Sequence, residues 1–134
     1  MGVVLALAAA GTAQAAATPA KVVHAWSKAL NANRNVAAAN LFAHNARVIQ
    51  PGVDVQLNSH ALAVAFNASL PCAGRIVAIT VKGNQATATF VLGERPKHRC
   101  DAPGAKAAAV FTVRNGKITR WQQVAVPTPS GPTA

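Results

Sequence analysis

The chain has no tyrosine, and its aromatic residues are two Trp and four Phe among 134 residues. No phenol is available anywhere as a proton donor. Aromatic bulk can sit in only a few places, so each of those places is a candidate for core or cavity wall. Acids are almost as scarce: Asp54, Glu94 and Asp101 stand against thirteen Lys and Arg, for a formal charge of +10. Only two cysteines are present, Cys72 and Cys100, and they form no close C-x-x-C pair. That spacing is a poor zinc signature. Beyond residue 20 no stretch approaches the roughly 20 apolar residues that a membrane-spanning helix needs. No P-loop, dinucleotide fingerprint or Ser-His-Asp order is visible. The basic residues run from Lys21 to Arg120 without four in a row, which argues against a dedicated nucleic-acid groove.

What is present is apolar. Just over half of the residues are hydrophobic, with Ala dominant, which is enough to bury the core of one domain. The opening "MGVVLALAAAGTAQAAATPA" reads as a secretory signal over 1–15. Gly2 to Ala10 is an apolar segment too short to span a bilayer, and Ala13-Gln14-Ala15 is a cleavage pattern. The segment lacks the basic residues such signals usually begin with; a buried Ala-rich helix is the other reading. Residues 16–126 then form one domain, and the Pro-rich 127–134 a disordered tail. Two cysteines in an exported chain point to one disulfide. Two free thiols, or a metal site with His98, are the alternatives. The expected location is secreted, periplasmic or extracellular.

Local signals order the elements. Thr18-Pro19 opens a helix whose apolar face carries Val22, Trp26, Ala29 and Leu30. "NANRN" ends it, and a short helix over 36–42 follows. "RVIQ" is a strand stopped by Pro51-Gly52, and 53–57 returns as a second strand. Asn58 or Ser59 caps a helix over 60–70, with Leu62, Ala65, Phe66 and Leu70 on its inner side. Strands 75–83 and 85–93 flank Gly83-Asn84, and strands 105–114 and 117–126 flank Asn115-Gly116. With a turn at 83–84, residue 74 pairs near residue 93, which brings Cys72 beside the loop carrying Cys100. A bridge there is worth about 3–4 kcal/mol by the loop-closure argument.

Helix, short helix, strand, Pro-Gly break, helix and four antiparallel strands: in this order the chain resembles the nuclear transport factor 2-like superfamily. That group includes the ketosteroid isomerases and the SnoaL-like polyketide cyclases. The segments that carry the likeness are "VVHAWSKALNAN", "LFAHNARVIQPG", "ALAVAFNASL" and "FTVRNGKITRWQQV". The resemblance implies an α+β cone: a curved antiparallel sheet around a long N-terminal helix, with a pocket at the open end. It also implies a homodimer pairing through the sheet. In the isomerases an Asp base precedes the strand-ending Pro; here that residue is Gln50. Their Tyr donor on the first helix aligns with Trp26. Their protonated Asp, two residues before the Phe of the penultimate strand, aligns with Ala109, before Phe111. An amide has no proton affinity near neutrality, so Gln50 cannot act as a general base, which argues against enolisation in this pocket.

The expectation is therefore a non-catalytic domain binding a small apolar ligand, with no cofactor and no metal. Trp26, Phe66, Phe90, Phe111 and Trp121 would wall the cavity, with Ala109 leaving space. Gln50 and Gln123 would be the polar points. Asp54 and His60 are weak catalytic candidates for a cyclase, isomerase or hydrolase alternative. Asp54 otherwise reads as a hairpin carboxylate and His60 as exposed. Glu94 reads as a surface partner of Arg95, Asp101 as bonding its own turn, and His98, His44 and His24 as solvated or structural. A second alternative, from the charge, is a surface that binds anionic wall polymers or lipids.

Overall fold

Thr18 accepts the backbone N–H of Lys21 and Pro19 occupies the first helical position, so the first helix begins where its free amide groups are met locally. The structure is a computed structural model and describes Gly2 and residues 16–128. The signal expected over 1–15 lies outside the described residues except for Gly2, as does the tail beyond residue 128.

Helix α1 (Pro19–Asn31) buries Val22, Val23, Trp26, Ser27 and Leu30 along one face, while His24 is exposed. Helix α2 (Asn35–Ala39) is shorter than the sequence predicts. Asn40 caps it, and strand β1 (Phe42–Gln50) starts far earlier than "RVIQ" suggests. Asn45 explains the difference. It takes φ 61°, and the register of β1 shifts between Phe42 and Arg47. An Asn in the left-handed region inside a strand marks a bulge, which the sequence disguises as a loop. Gly52, at φ 75°, closes the turn to β2 (Val53–Leu57).

Helix α3 (His60–Ser69) is capped by Ser59, which accepts the Leu62 N–H at 3.1 Å. Its inner face differs from the predicted one. Ala63, Phe66 and Asn67 are buried, whereas Leu62 is 46% exposed and Ala65 also faces out. Alanine at 61, 63, 65 and 68 makes the helix apolar all round. Periodicity alone cannot phase such a helix.

Strands β3 (Ala73–Lys82) and β4 (Gln85–Gly93) meet at Gly83, whose φ is 60°. That is the glycine-first type II′ pattern. Strands β5 (Lys106–Arg114) and β6 (Lys117–Val124) meet at Asn115-Gly116, where both φ values are positive, as type I′ requires. The sheet order is β2-β1-β6-β5-β4-β3. Only β1 and β6 pair in parallel. The fold is α+β: a curved sheet wraps α1 as a cone, and α1 packs on β3, β4 and β5.

The pairing Ala73↔Gly93 and Gly74↔Leu92 is one residue away from the expected register. The cause is a bulge at Val77, between Ile76↔Phe90 and Ala78↔Thr89. The Cys72–Cys100 bridge nevertheless forms, with an S–S distance of 2.08 Å. The alternatives of free thiols and of a zinc site with His98 both fall, because the two sulfurs bond each other.

Gly74 joins α1 to β3. Asn31 accepts its N–H and donates to its carbonyl, each at 2.9 Å, and the Ser27 hydroxyl donates to the same carbonyl at 3.0 Å. A Cβ at position 74 would lie 2.9 Å from the Phe90 ring. We expect Gly74→Ala to displace that ring and cost about 1–3 kcal/mol in urea unfolding. An unchanged midpoint would show that Phe90 yields freely.

Candidate functional site

The inner face of the sheet is a set of rows that narrow from wide residues to small ones. One row runs Val48, Trp121, Phe111, Ala86 across β1, β6, β5 and β4. Two residues further along β1, β6 and β5, the next row is Gln50, Gln123 and Ala109. Beyond it Ala107 faces Phe90. Bulk fills the first row, and alanine leaves the later ones open. The result is a cavity of about 250 Å³ against α1.

All six aromatic rings of the chain join one cluster. Ring centroids lie 5.2 Å apart for Trp26–Phe111, 5.3 Å for Phe66–Trp121 and 6.3 Å for Trp26–Trp121. Phe90 lies 6.1 Å from Trp26, and Phe42 lies 5.9 Å from Phe66. Edge-to-face geometry dominates, as ring quadrupoles favour. Scarcity in the sequence thus becomes concentration in the fold.

Six of the eight residues expected to contact a ligand line the cavity: Trp26, Gln50, Phe90, Ala109, Trp121 and Gln123. Phe66 and Phe111 do not. They are buried behind the two tryptophans and hold them in place. The three positions expected to correspond to the isomerase machinery, Gln50, Trp26 and Ala109, line one cavity. None of the three can act as a base.

The indole N–H of Trp26 is already occupied. It donates to Asn67 Oδ1 at 2.8 Å, and Asn67 Nδ2 donates to the Ala63 carbonyl at 2.8 Å. Asn67 is fully buried. The sequence does not announce it, because one polar residue in "AVAFNASL" resembles an outer-face residue. Trp121 differs from Trp26: its Nε1 is buried and has no partner among the described residues. The side chains of Gln50 and Gln123 make no hydrogen bond among the described residues, so both amides are available at the mouth.

The two weak catalytic candidates lie elsewhere. Asp54 forms a two-pronged pair with Arg47, at 2.8 and 2.9 Å, on the exposed β1–β2 hairpin. Those hydrogen bonds from Arg47 hold the Asp54 carboxyl below its usual range. His60 is exposed at the first turn of α3. Neither lines the cavity.

The carboxylate that does line it is Asp101, and the hydrogen bond to its own turn expected of it is absent among the described residues. Its Oδ1 lies 3.5 Å from Cys72 Sγ, a disulfide sulfur with no proton to donate. Cys72, Cys100 and Asp101 bring three metal-ligand atoms together, but both sulfurs are bonded to each other and only one ligand remains.

Glu94 and Arg95 are not a surface pair. Glu94 accepts the Cys100 backbone N–H, whereas Arg95 is 2% exposed. The Arg95 guanidinium donates to the carbonyls of Asn67 and Leu70, at 2.7 and 2.6 Å, and to Asn35 Oδ1. It closes the C-terminal end of α3, where carbonyls lack helical partners and the helix dipole is negative. Burial pulls its pKa down, against the usual preference of arginine for charge.

Residues 23–121 match the SnoaL-like domain, and the chain belongs to that family. Solved structures share the fold. A nuclear transport factor 2-like protein from Cytophaga hutchinsonii is 14% identical with a TM-score of 0.66, covering 80% of this chain and 88% of its own. A candidate polyketide cyclase from Sinorhizobium meliloti is 22% identical with a TM-score of 0.63, covering 78% and 94%. A protein of ketosteroid isomerase-like fold from Catenulispora acidiphila, solved in complex with trimethylamine, is 20% identical with a TM-score of 0.63, covering 81% and 87%. Among curated proteins there is no match.

Proposed function

We propose that this chain is an exported SnoaL-like domain that holds a small, largely apolar ligand in its cone and does not transform it. The observation that carries this reading is the cavity itself. It has aromatic and aliphatic walls, two free amides at its mouth, and an amide in place of the base. Few polar points in an apolar wall is the usual make-up of a small-molecule site. The Cys72–Cys100 bridge supports export, since such bonds persist in oxidising compartments. No helix among the described residues is long and apolar enough to cross a membrane. The Catenulispora neighbour supports only the idea that a cone of this kind can hold a small molecule.

The chain carries its own reporter. Both tryptophans line the cavity and there is no tyrosine, so intrinsic fluorescence reads occupancy. Native mass spectrometry of the exported protein should show an adduct released on denaturation, and would read a homodimer at the same time. The isolated adduct should shift the Trp emission on rebinding. Gln50→Ala or Gln123→Ala should each weaken that rebinding by about tenfold or less, the worth of one neutral hydrogen bond. Emission unmoved by any co-purified or screened apolar compound would refute the reading.

A second reading has its own observation. A shallow groove along α1 and β3 is lined by His24, Lys28 and Arg75 and by no acid. It suits anionic wall polymers or lipid headgroups. Binding there should weaken steeply between low and physiological salt, and salt-insensitive binding would exclude it.

A further inference from the structure

We infer that the cavity selects a small organic cation, an alkyl- or arylalkylammonium, with Asp101 as its counter-ion. This rests on the binding reading above and narrows it to one ligand class.

The charge of the lining is the first argument. The chain carries thirteen Lys and Arg and four His, and none of them lines the cavity. The one charged side chain that does is Asp101. In a molecule of charge +10, the single charge on the cavity lining is thus negative, and it sits at the solvent-exposed rim. Anions collect on the outer surface, but the lining offers them no cation.

Asp101 is also uncommitted. The ion pair recorded among the described residues is Arg47–Asp54, on the β1–β2 hairpin. Asp101 accepts no hydrogen bond there, since the sulfur beside it is a disulfide sulfur. The carboxylate keeps its full capacity as an acceptor. Its position is held from the adjacent residue: Cys100 is bridged to Cys72, and its N–H is bound by Glu94.

The walls suit the same ligand. Trp26, Phe90 and Trp121 contribute aromatic surface, and a cation near ring faces gains what a neutral or anionic group does not. The amide oxygens of Gln50 and Gln123 can accept further ammonium protons. Size limits the body of the ligand. An apolar cavity of about 150 Å³ holds benzene, so about 250 Å³ admits one aryl ring with a short arm.

The test is a fluorescence titration of the oxidised protein at neutral pH with three matched probes: 2-phenylethylammonium, 2-phenylethanol and phenylacetate. The ammonium should bind at least tenfold more tightly than the alcohol, and the carboxylate most weakly. Asp101→Asn should bring the ammonium down to the level of the alcohol and leave the alcohol unchanged. Asp54→Asn removes the same charge on the exposed hairpin and should change nothing. Equal binding of ammonium and alcohol, or an ammonium preference that survives Asp101→Asn, overturns the counter-ion and leaves the apolar site standing. No response to any of the three overturns both this inference and the binding reading beneath it.

Discussion

Arg95→Ala should lose on the order of 4 kcal/mol of folding stability. The guanidinium is 2% exposed and donates to three acceptors that lie far from it in sequence: two carbonyls at the end of α3 and the Asn35 side chain. Hydrogen bonds from a charged donor contribute about 1.5–3 kcal/mol each, and a buried carbonyl left without a partner costs about 1–3 kcal/mol. The void left by the side chain adds to the loss. Part of the sum is offset, because the wild-type protein bears the cost of burying the charge, and that cost disappears in the variant. Arg95→Met separates these contributions. It keeps much of the volume and removes the charge, so it should lose less than Ala. Arg95→Lys keeps the charge but cannot present a planar fork to three acceptors, so it should not restore wild-type stability. Urea unfolding under non-reducing conditions reads all three. If Ala unfolds at the wild-type midpoint, the guanidinium is not what closes α3.

Arg95 also shows where the sequence stops being informative. Beside Glu94 it reads as half of a surface pair, because acid next to base is a local pattern. Its burial is decided by acceptors 25 to 60 residues away. The features that were legible have local causes. Thr18-Pro19 and Ser59 cap helices within their own first turn, and Gly83 and Asn115-Gly116 set hairpin geometry through φ alone. The disulfide followed from an even cysteine count, an expected oxidising compartment and the hairpin that brings Cys72 beside the Cys100 loop. What was lost is what packing decides. The phase of α3 is hidden by its alanines, and the bulge at Val77 has no residue type that announces it. At the cavity, six of eight wall residues followed from strand alternation and from the family likeness. Asp101 did not, because a carboxylate in "CDAPG" looks like a turn residue until a bridge carries its loop to the cavity.

Removing the Cys72–Cys100 bridge, by Cys72→Ser with Cys100→Ser, should lose about 3–4 kcal/mol, most of it through the greater freedom of the unfolded chain. The double-serine protein should also bind the phenylethylammonium probe less selectively, because Asp101 is adjacent to Cys100 and loses its anchor. The bridge and Arg95 tie the same loop to the end of α3, so their effects should not add. In the bridged protein the loop stays in place after Arg95→Ala, the Leu70 carbonyl remains dry and unpaired, and the Asn67 carbonyl keeps only the long bond from the Leu70 N–H. In the unbridged protein the loop can lift, water reaches those carbonyls, and much of the penalty is relieved. The triple variant should therefore fall short of the summed losses by roughly 1 kcal/mol, within the range expected of coupled neighbours. Urea unfolding of the four proteins completes the cycle. Strict additivity would mean that water reaches the Arg95 site whether or not the bridge is closed. A loss larger than the sum would mean that either anchor alone holds the loop down, and that the cavity mouth opens only when both are gone.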